Sequence, residues 1–171
     1  MTLNGEAKNI LVVTQNFFPT EKKDYKIKEN LEKLANQGNK ITVLGCKKQS
    51  DIVDEIQNLQ YSFIEQEEFA GGSEWAYALH NIIFMWKAIK IGSSIKDNFD
   101  MIVAIVPTGF AAIAAKVIAG KKQAKYFVDI KENWVESALE AKYLTKGSPF
   151  HKAATIVEDW LLKNSEKIDL F

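Results

Sequence analysis

Three short apolar runs constrain this chain more than anything else in it. They are Asn9-Ile-Leu-Val-Val-Thr-Gln15, Ile41-Thr-Val-Leu-Gly-Cys46 and Met101-Ile-Val-Ala-Ile-Val106. None alternates with polar residues as a half-solvated strand would. Continuous β-branched runs of this length suit strands buried on both faces, the condition of a parallel sheet. Between the first two runs, Ile27, Leu31, Leu34 and Ala35 recur at helical spacing among Lys and Glu residues, with Asp24 placed to cap and Gly38-Asn39 to close. That makes one strand–helix–strand crossover. The alternation continues along the chain. Residues 60–64 read as a weaker third strand, Ser73 to about Ile95 as a long helix, and Thr108–Ala119 as an Ala-rich helix closed by Gly120. Lys125–Ile130 reads as a fifth strand, Pro149 to about Asn164 as a helix, and Lys167–Phe171 as the start of a strand. The pattern predicts a Rossmann-like α/β domain, doubly wound on a mainly parallel sheet with helices on both faces.

A chain of 171 residues suits one such domain over residues 1–171. With 47% hydrophobic and 26% charged residues it can bury a core without disulfide or metal. Lys+Arg and Asp+Glu are both 22, which argues against a nucleic-acid partner. The one cysteine, Cys46, lies in an apolar run and reads as a buried structural thiol. With only His80 and His151 beside it, no metal site is expected. The polar first ten residues carry no signal-peptide core, and no apolar run approaches the ~20 residues that span a bilayer. The expected place is therefore the cytoplasm, with peripheral contact at the inner face of the cell membrane also in view.

Ligands of open parallel sheets bind at the carboxyl ends of the strands. Four loops qualify: 16–24, 46–51, 107–109 and 130–137. The first lacks the glycines of a dinucleotide fingerprint or a phosphate loop, which excludes the common NAD and P-loop chemistries. Lys22 and Lys23 there read either as phosphate contacts near a helix N-terminus or as solvated charges. Thr108 reads as an N-cap, and Gly109 permits a close approach by a ligand or another segment. The run Asp129-Ile-Lys-Glu-Asn-Trp-Val-Glu-Ser137 gathers carboxylates, an amide and an indole past a strand end. Asp129 and Glu132 are candidates to orient a hydroxyl or take its proton, against a structural reading of equal weight. Trp134 reads as packing first and as a sugar-stacking face second.

The long helix has two apolar faces. Trp75, Leu79, Ile82, Trp86 and Ile89 share one, and Tyr77, Phe84, Met85, Ala88 and Ile91 lie on the other. One must meet the sheet. The expectation for the second is internal packing, with a missing domain or a membrane surface as alternatives, since Lys87 and Lys90 suit anionic headgroups.

Together these segments resemble the N-terminal domain of family 4 glycosyltransferases, retaining enzymes of the GT-B fold, above all bacterial members that build cell-surface polysaccharide. The likeness runs from Lys8 onward. Asn9 to Pro19 is similar to the family's opening strand and Phe-Pro-Pro loop. Leu31–Leu44 is similar to its Leu-Ala…Gly-His…Val-Thr-Val stretch, and Phe99–Pro107 to the strand before the acceptor-side helix. Asp129–Ser137 resembles Asp-Ile-Arg-Asp-Leu-Trp-Pro-Glu-Ser, and Glu158-Asp-Trp and Glu166-Lys-Ile resemble the elements leading out of the domain. The resemblance implies an acceptor-binding half. Asp129 and Glu132 would then be catalytic, and Pro19, Thr20, Thr108, Gly109, Lys131 and Trp134 would line the acceptor side. Lys22 and Lys23 would meet phosphate weakly. It implies no cofactor and no metal; a nucleotide-sugar donor would come with a C-terminal domain or a separate donor-binding subunit. The implied acceptor is a glycan or a polyprenyl-phosphate-linked sugar. Departures are visible: Lys22-Lys23-Asp24 stand for two glycines, Asn39 for histidine, Lys131 for an arginine whose bidentate fork lysine cannot copy, Glu132 for aspartate and Val135 for proline. A two-chain split enzyme and a non-catalytic flavodoxin-like module remain the alternatives.

Overall fold

The computed structural model describes residues 7–15, 25–46, 56–66, 69–106, 108–130 and 133–167. Strands β1 (Asn9–Val13), β2 (Lys40–Cys46), β3 (Leu59–Ile64), β4 (Met101–Val106), β5 (Lys125–Ile130) and β6 (Glu166–Lys167) form one sheet in the order β3-β2-β1-β4-β5-β6. Every pairing among them is parallel. Helices α1 (Tyr25–Asn36), α2 (Glu74–Ser94), α3 (Gly109–Lys122), α4 (Trp134–Glu140) and α5 (Pro149–Asn164) link the strands. This is the Rossmann strand order, in which the chain leaves β1 towards one edge and β4 towards the other.

The two faces carry separate cores. Ile10, Val12, Ile41, Val43, Met101, Val103 and Ile105 pack with Leu31 and Ala35 of α1. Leu11, Val13, Leu44, Ile102, Ala104, Val106 and Val128 pack with α2, α3, α4 and α5 on the other side. The odd–even split is the strand's period of two, and it explains why the runs do not alternate between apolar and polar residues: both faces are covered, and inside them only Thr42 of β2 is polar. Val12 sits between Val43 and Val103 in register, and β1 is the centre of the sheet.

Asn39, where the resemblance puts histidine, fastens the start of the sheet. Its Oδ1 accepts from the backbone N–H of Lys8 at 3.0 Å and its Nδ2 donates to the Leu34 carbonyl at 2.8 Å. The left-handed turn before it falls on Gly38, at φ 90°.

Two expectations need correction. Helix α3 does not close at Gly120 but runs on to Lys122, because Gln123 takes the left-handed conformation at φ 55° and its N–H bonds the Ala119 carbonyl. The second apolar face of α2 is not packed internally. Tyr77, Phe84 and Ala88 are buried, whereas Trp75, Leu79, Ile82 and Trp86 are exposed and only Ile89 of that face packs against the core. The sheet needs one stripe of the helix, and α3 lies beside α2, not over it. Helix α4 was not anticipated; at 7 residues it is too short to show a period. The proposed caps at Asp24 and the strand residues Ile168–Phe171 lie outside the described residues.

Gly92 sets how closely α2 approaches its neighbours. A Cβ built there meets Ile118 Cδ1 at 2.6 Å and Leu44 Cδ2 at 3.1 Å. Gly92→Ala gains about 1 kcal/mol of helix propensity. Overpacking the buried Ile118 costs about 1–3 kcal/mol, so the steric term wins. The expected outcome is a net loss of roughly 1 kcal/mol, read as a lower urea midpoint at unchanged slope. A raised midpoint would show that Ile118 yields without cost.

Candidate functional site

The crevice of a doubly wound sheet opens at the carboxyl ends of the two strands whose connections diverge, here β1 and β4. Polar residues begin where these strands leave the sheet. Gln15 and Thr108 are 93 residues apart in sequence, and the Thr108 hydroxyl donates to Gln15 Oε1 at 2.6 Å. Both side chains are buried. Thr108 occupies the N-cap position of α3 with extended backbone, yet its side chain caps nothing. The hydroxyl is spent on Gln15, so its role is to join the ends of β1 and β4. Of its two sequence readings, capping is thereby overturned. Thr14 is held beside β2 by its N–H to the Leu44 carbonyl at 3.0 Å.

Gly109 follows, and what approaches it is a side chain. A Cβ there would lie 3.1 Å from Trp134 Cζ2 and 3.2 Å from Leu161 Cδ1. Trp134 is 4% exposed and meets Phe110 edge-on at 6.2 Å between centroids. Its ring faces are therefore engaged in packing. Its Nε1 is buried without a hydrogen-bond partner, and the residue lines a cavity of about 20 Å³ with Val106, Val128, Ile130, Asn133, Glu158 and Leu161. That volume holds roughly one water.

Glu158, carried on α5, closes the opening of α4. Its Oε1 accepts from the Val135 N–H at 3.2 Å. With the Asn133 amide turned so that nitrogen faces the carboxylate, Nδ2 donates to Oε1 at 3.2 Å and Oε2 at 3.3 Å. A carboxylate at a helix N-terminus is favoured by the exposed amides there.

Asp129 is 1% exposed and pairs in register with Ile105. Ile105 belongs to the core on the α1 side, whereas Val128 and Ile130 line the cavity on the α3–α5 side. Strand alternation thus turns Asp129 away from Trp134. The sheet brings Thr108, Gly109 and Trp134 together, and sets Asp129 on its other face. Pro19, Thr20, Lys22, Lys23, Lys131 and Glu132 lie outside the described residues. Sequence reasoning missed Gln15, Asn133 and Glu158. Gln15 carried a signal, as the first long polar side chain after a buried run; the other two meet only through folding.

Cys46, at the end of β2, is a free buried thiol, and desolvation pushes its pKa up to about 12. It is unsuited to nucleophilic chemistry. Among the described residues no three His, Cys, Asp or Glu side chains stand together as a metal cluster.

No protein-family model matches the chain, and no curated protein matches it. Solved structures do share its fold. The C-terminal domain of the PF1911 hydrogenase from Pyrococcus furiosus aligns at TM-score 0.50 and 8% identity, over 72% of this chain and 92% of that one. The glycotransferase of kitacinnamycin aligns at TM-score 0.50 and 10% identity, over 92% of this chain and 41% of that one. At such identities the likeness is one of fold. The chain has a Rossmann-like α/β fold similar to part of a glycosyltransferase.

Two outcomes follow from the geometry. Thr108→Val leaves the buried Gln15 acceptor unpaired and should cost about 1–3 kcal/mol in chemical denaturation. Pairing it with Gln15→Leu should cost less than the sum of the single changes by about 1 kcal/mol; strict additivity would show that the two side chains do not depend on each other. Native Cys46 at pH 8, with roughly one thiolate in ten thousand, should react with a disulfide reagent only as the chain unfolds. A native rate close to that in 6 M guanidinium (~6 M, a fully denaturing concentration) would contradict its burial.

Proposed function

We propose that this chain is the N-terminal, acceptor-binding half of a family 4, GT-B-type glycosyltransferase. In this reading the whole enzyme transfers a sugar from a nucleotide-sugar to a glycan or polyprenyl-phosphate-linked acceptor in bacterial cell-surface polysaccharide synthesis. One observation carries the reading. The three segments most similar to the family, residues 9–20, 99–109 and 129–137, lie far apart in sequence but run into the carboxyl ends of β1, β4 and β5, which are neighbours in the sheet. That the described parts of these segments lead to the strand ends where this architecture binds ligands supports the reading. The alignment over 92% of this chain but 41% of the glycotransferase is in keeping with a half-enzyme.

In this proposal Asp129 and Glu132 orient the acceptor hydroxyl and take its proton. Thr108, Gly109, Lys131, Pro19 and Thr20 line the acceptor side, and Trp134 supports that wall from behind. Lys22 and Lys23 face phosphate. The donor's contacts come from a C-terminal domain or a second subunit, and no cofactor takes part.

Calorimetry on the 171-residue chain tests this. A water-soluble polyprenyl-phosphate mimic should bind, nucleotide-sugars should not, and Asp129→Asn should weaken the mimic's binding at least ~10-fold, as loss of a charge-assisted hydrogen bond would. The chain alone should transfer no sugar. Donor binding without acceptor binding would reverse the assignment of the half, and turnover by the chain alone would end it.

A further inference from the structure

The indole of Trp134 carries a donor that its protein neighbours do not satisfy. The residue is 4% exposed, and no acceptor reaches its Nε1. A buried N–H left without an acceptor loses its hydration for nothing in return, so such groups are nearly always met by protein or by ordered water. Packing accounts for the rest of the ring. Phe110 meets it edge-on, and its Cζ2 and Cε2 lie 3.1 and 3.2 Å from where a Cβ on Gly109 would stand. No side chain of the protein is left to take the proton.

The cavity that Trp134 lines has the size of one water. Its walls are apolar apart from the side chains of Asn133, Trp134 and Glu158, and no Lys or Arg is among them. A water in such a site needs ~2–4 polar partners. Glu158 has acceptor capacity to offer. A carboxylate has about four lone-pair sites. Its Oε1 takes the Val135 N–H at 3.2 Å and the turned Asn133 Nδ2 at 3.2 Å. Its Oε2 takes only that same Nδ2, at 3.3 Å. Glu158 stands about one turn before Leu161 on α5, and both line the cavity, so this face of α5 is the one turned to α4.

We infer that one buried water accepts from the Trp134 N–H and donates to Glu158 Oε2, and that Glu158 thereby positions the start of α4. The carboxylate then holds three successive residues: Asn133 by its side chain, Trp134 through the water and Val135 by its backbone. The last of these contacts exists because valine, unlike the proline of the resemblance, has an N–H to give. Glu158 touches no ligand in this arrangement. Its consequence for binding rests on the acceptor-half reading, in which Trp134 supports the acceptor wall from behind; the water itself does not depend on that reading.

The test is magnetic resonance on the full chain carrying isotope-labelled tryptophan. The chain has 4 tryptophans, and Trp134→Phe identifies the Trp134 indole signal by deleting it. That N–H should show a cross-peak to water with the sign of a long-lived contact. Trp75 and Trp86, 73% and 65% exposed, should not, because surface waters leave too quickly. Glu158→Gln keeps one oxygen for the Val135 N–H and turns the other into a donor. The Trp134 cross-peak should then weaken at least ~5-fold, as loss of one hydrogen bond would, with unchanged circular dichroism confirming the fold. A Trp134 indole without long-lived water overturns the inference, and so does a cross-peak that Glu158→Gln leaves at native strength. Calorimetry with the soluble acceptor mimic reads the positioning. Glu158→Gln should lower its affinity several-fold at unchanged stoichiometry. A lower stoichiometry at native affinity overturns the positioning role, since it reports only a partly unfolded sample. Mimic binding by a chain without the water ends this inference alone, and the water without mimic binding ends the acceptor reading alone.

Discussion

The pairing of β1 on both sides is the constraint on which the other features depend. Its Val12 lies between Val43 and Val103, and both sheet faces over it are covered. A strand so placed spends its backbone polar groups in the ladder and is apolar from Ile10 to Val13. Polar chemistry is therefore driven to the strand ends. At the carboxyl end of β1 the polar residues are Thr14 and Gln15, and the chain just past β4 supplies Thr108. The Gln15–Thr108 bond is the polar closure of an apolar centre.

Around that centre the two faces do different work. On the α3–α5 side, Gly109 lets Trp134 come close, and Glu158 holds the opening of α4 through Val135 and Asn133. This wall is packed, with room for a single water. On the α1 side, Asp129 stands level with Ile105 at the end of β5. Asp129 and Trp134 are thus both buried, on opposite faces of the sheet. Helix α2 stands apart from both, since only one of its stripes is needed by the sheet. Its outer stripe is left exposed.

Much of this was legible in advance. The runs at 9–15, 41–46 and 101–106 named the buried strands, and Lys125–Ile130 and Pro149–Asn164 matched their elements to the residue. Periodicity is strong there because each element is buried along its whole length or along one clear stripe. The end of α3 was misjudged at Gly120 because glycine is the usual helix terminator, while Gln123 supplied the left-handed turn instead. Helix α4 was missed because 7 residues cannot display a period of 3.6. Thr108 was read as a local cap because a cap is a local device, and its partner 93 residues away is not.

The sequence by itself determined the class of fold: apolar runs of strand length, separated by helical periods, have few ways to bury both faces other than a parallel α/β sheet. It also marked Asp129, Thr108, Gly109 and Trp134 as residues at strand ends. The tertiary structure alone decided which of them meet. Strand parity sent Asp129 and Trp134 to opposite faces, and the order of the strands joined Gln15 to Thr108. The position of α3 beside α2 left one apolar stripe covered and the other bare. These outcomes depend on contacts between distant segments, which no local pattern encodes.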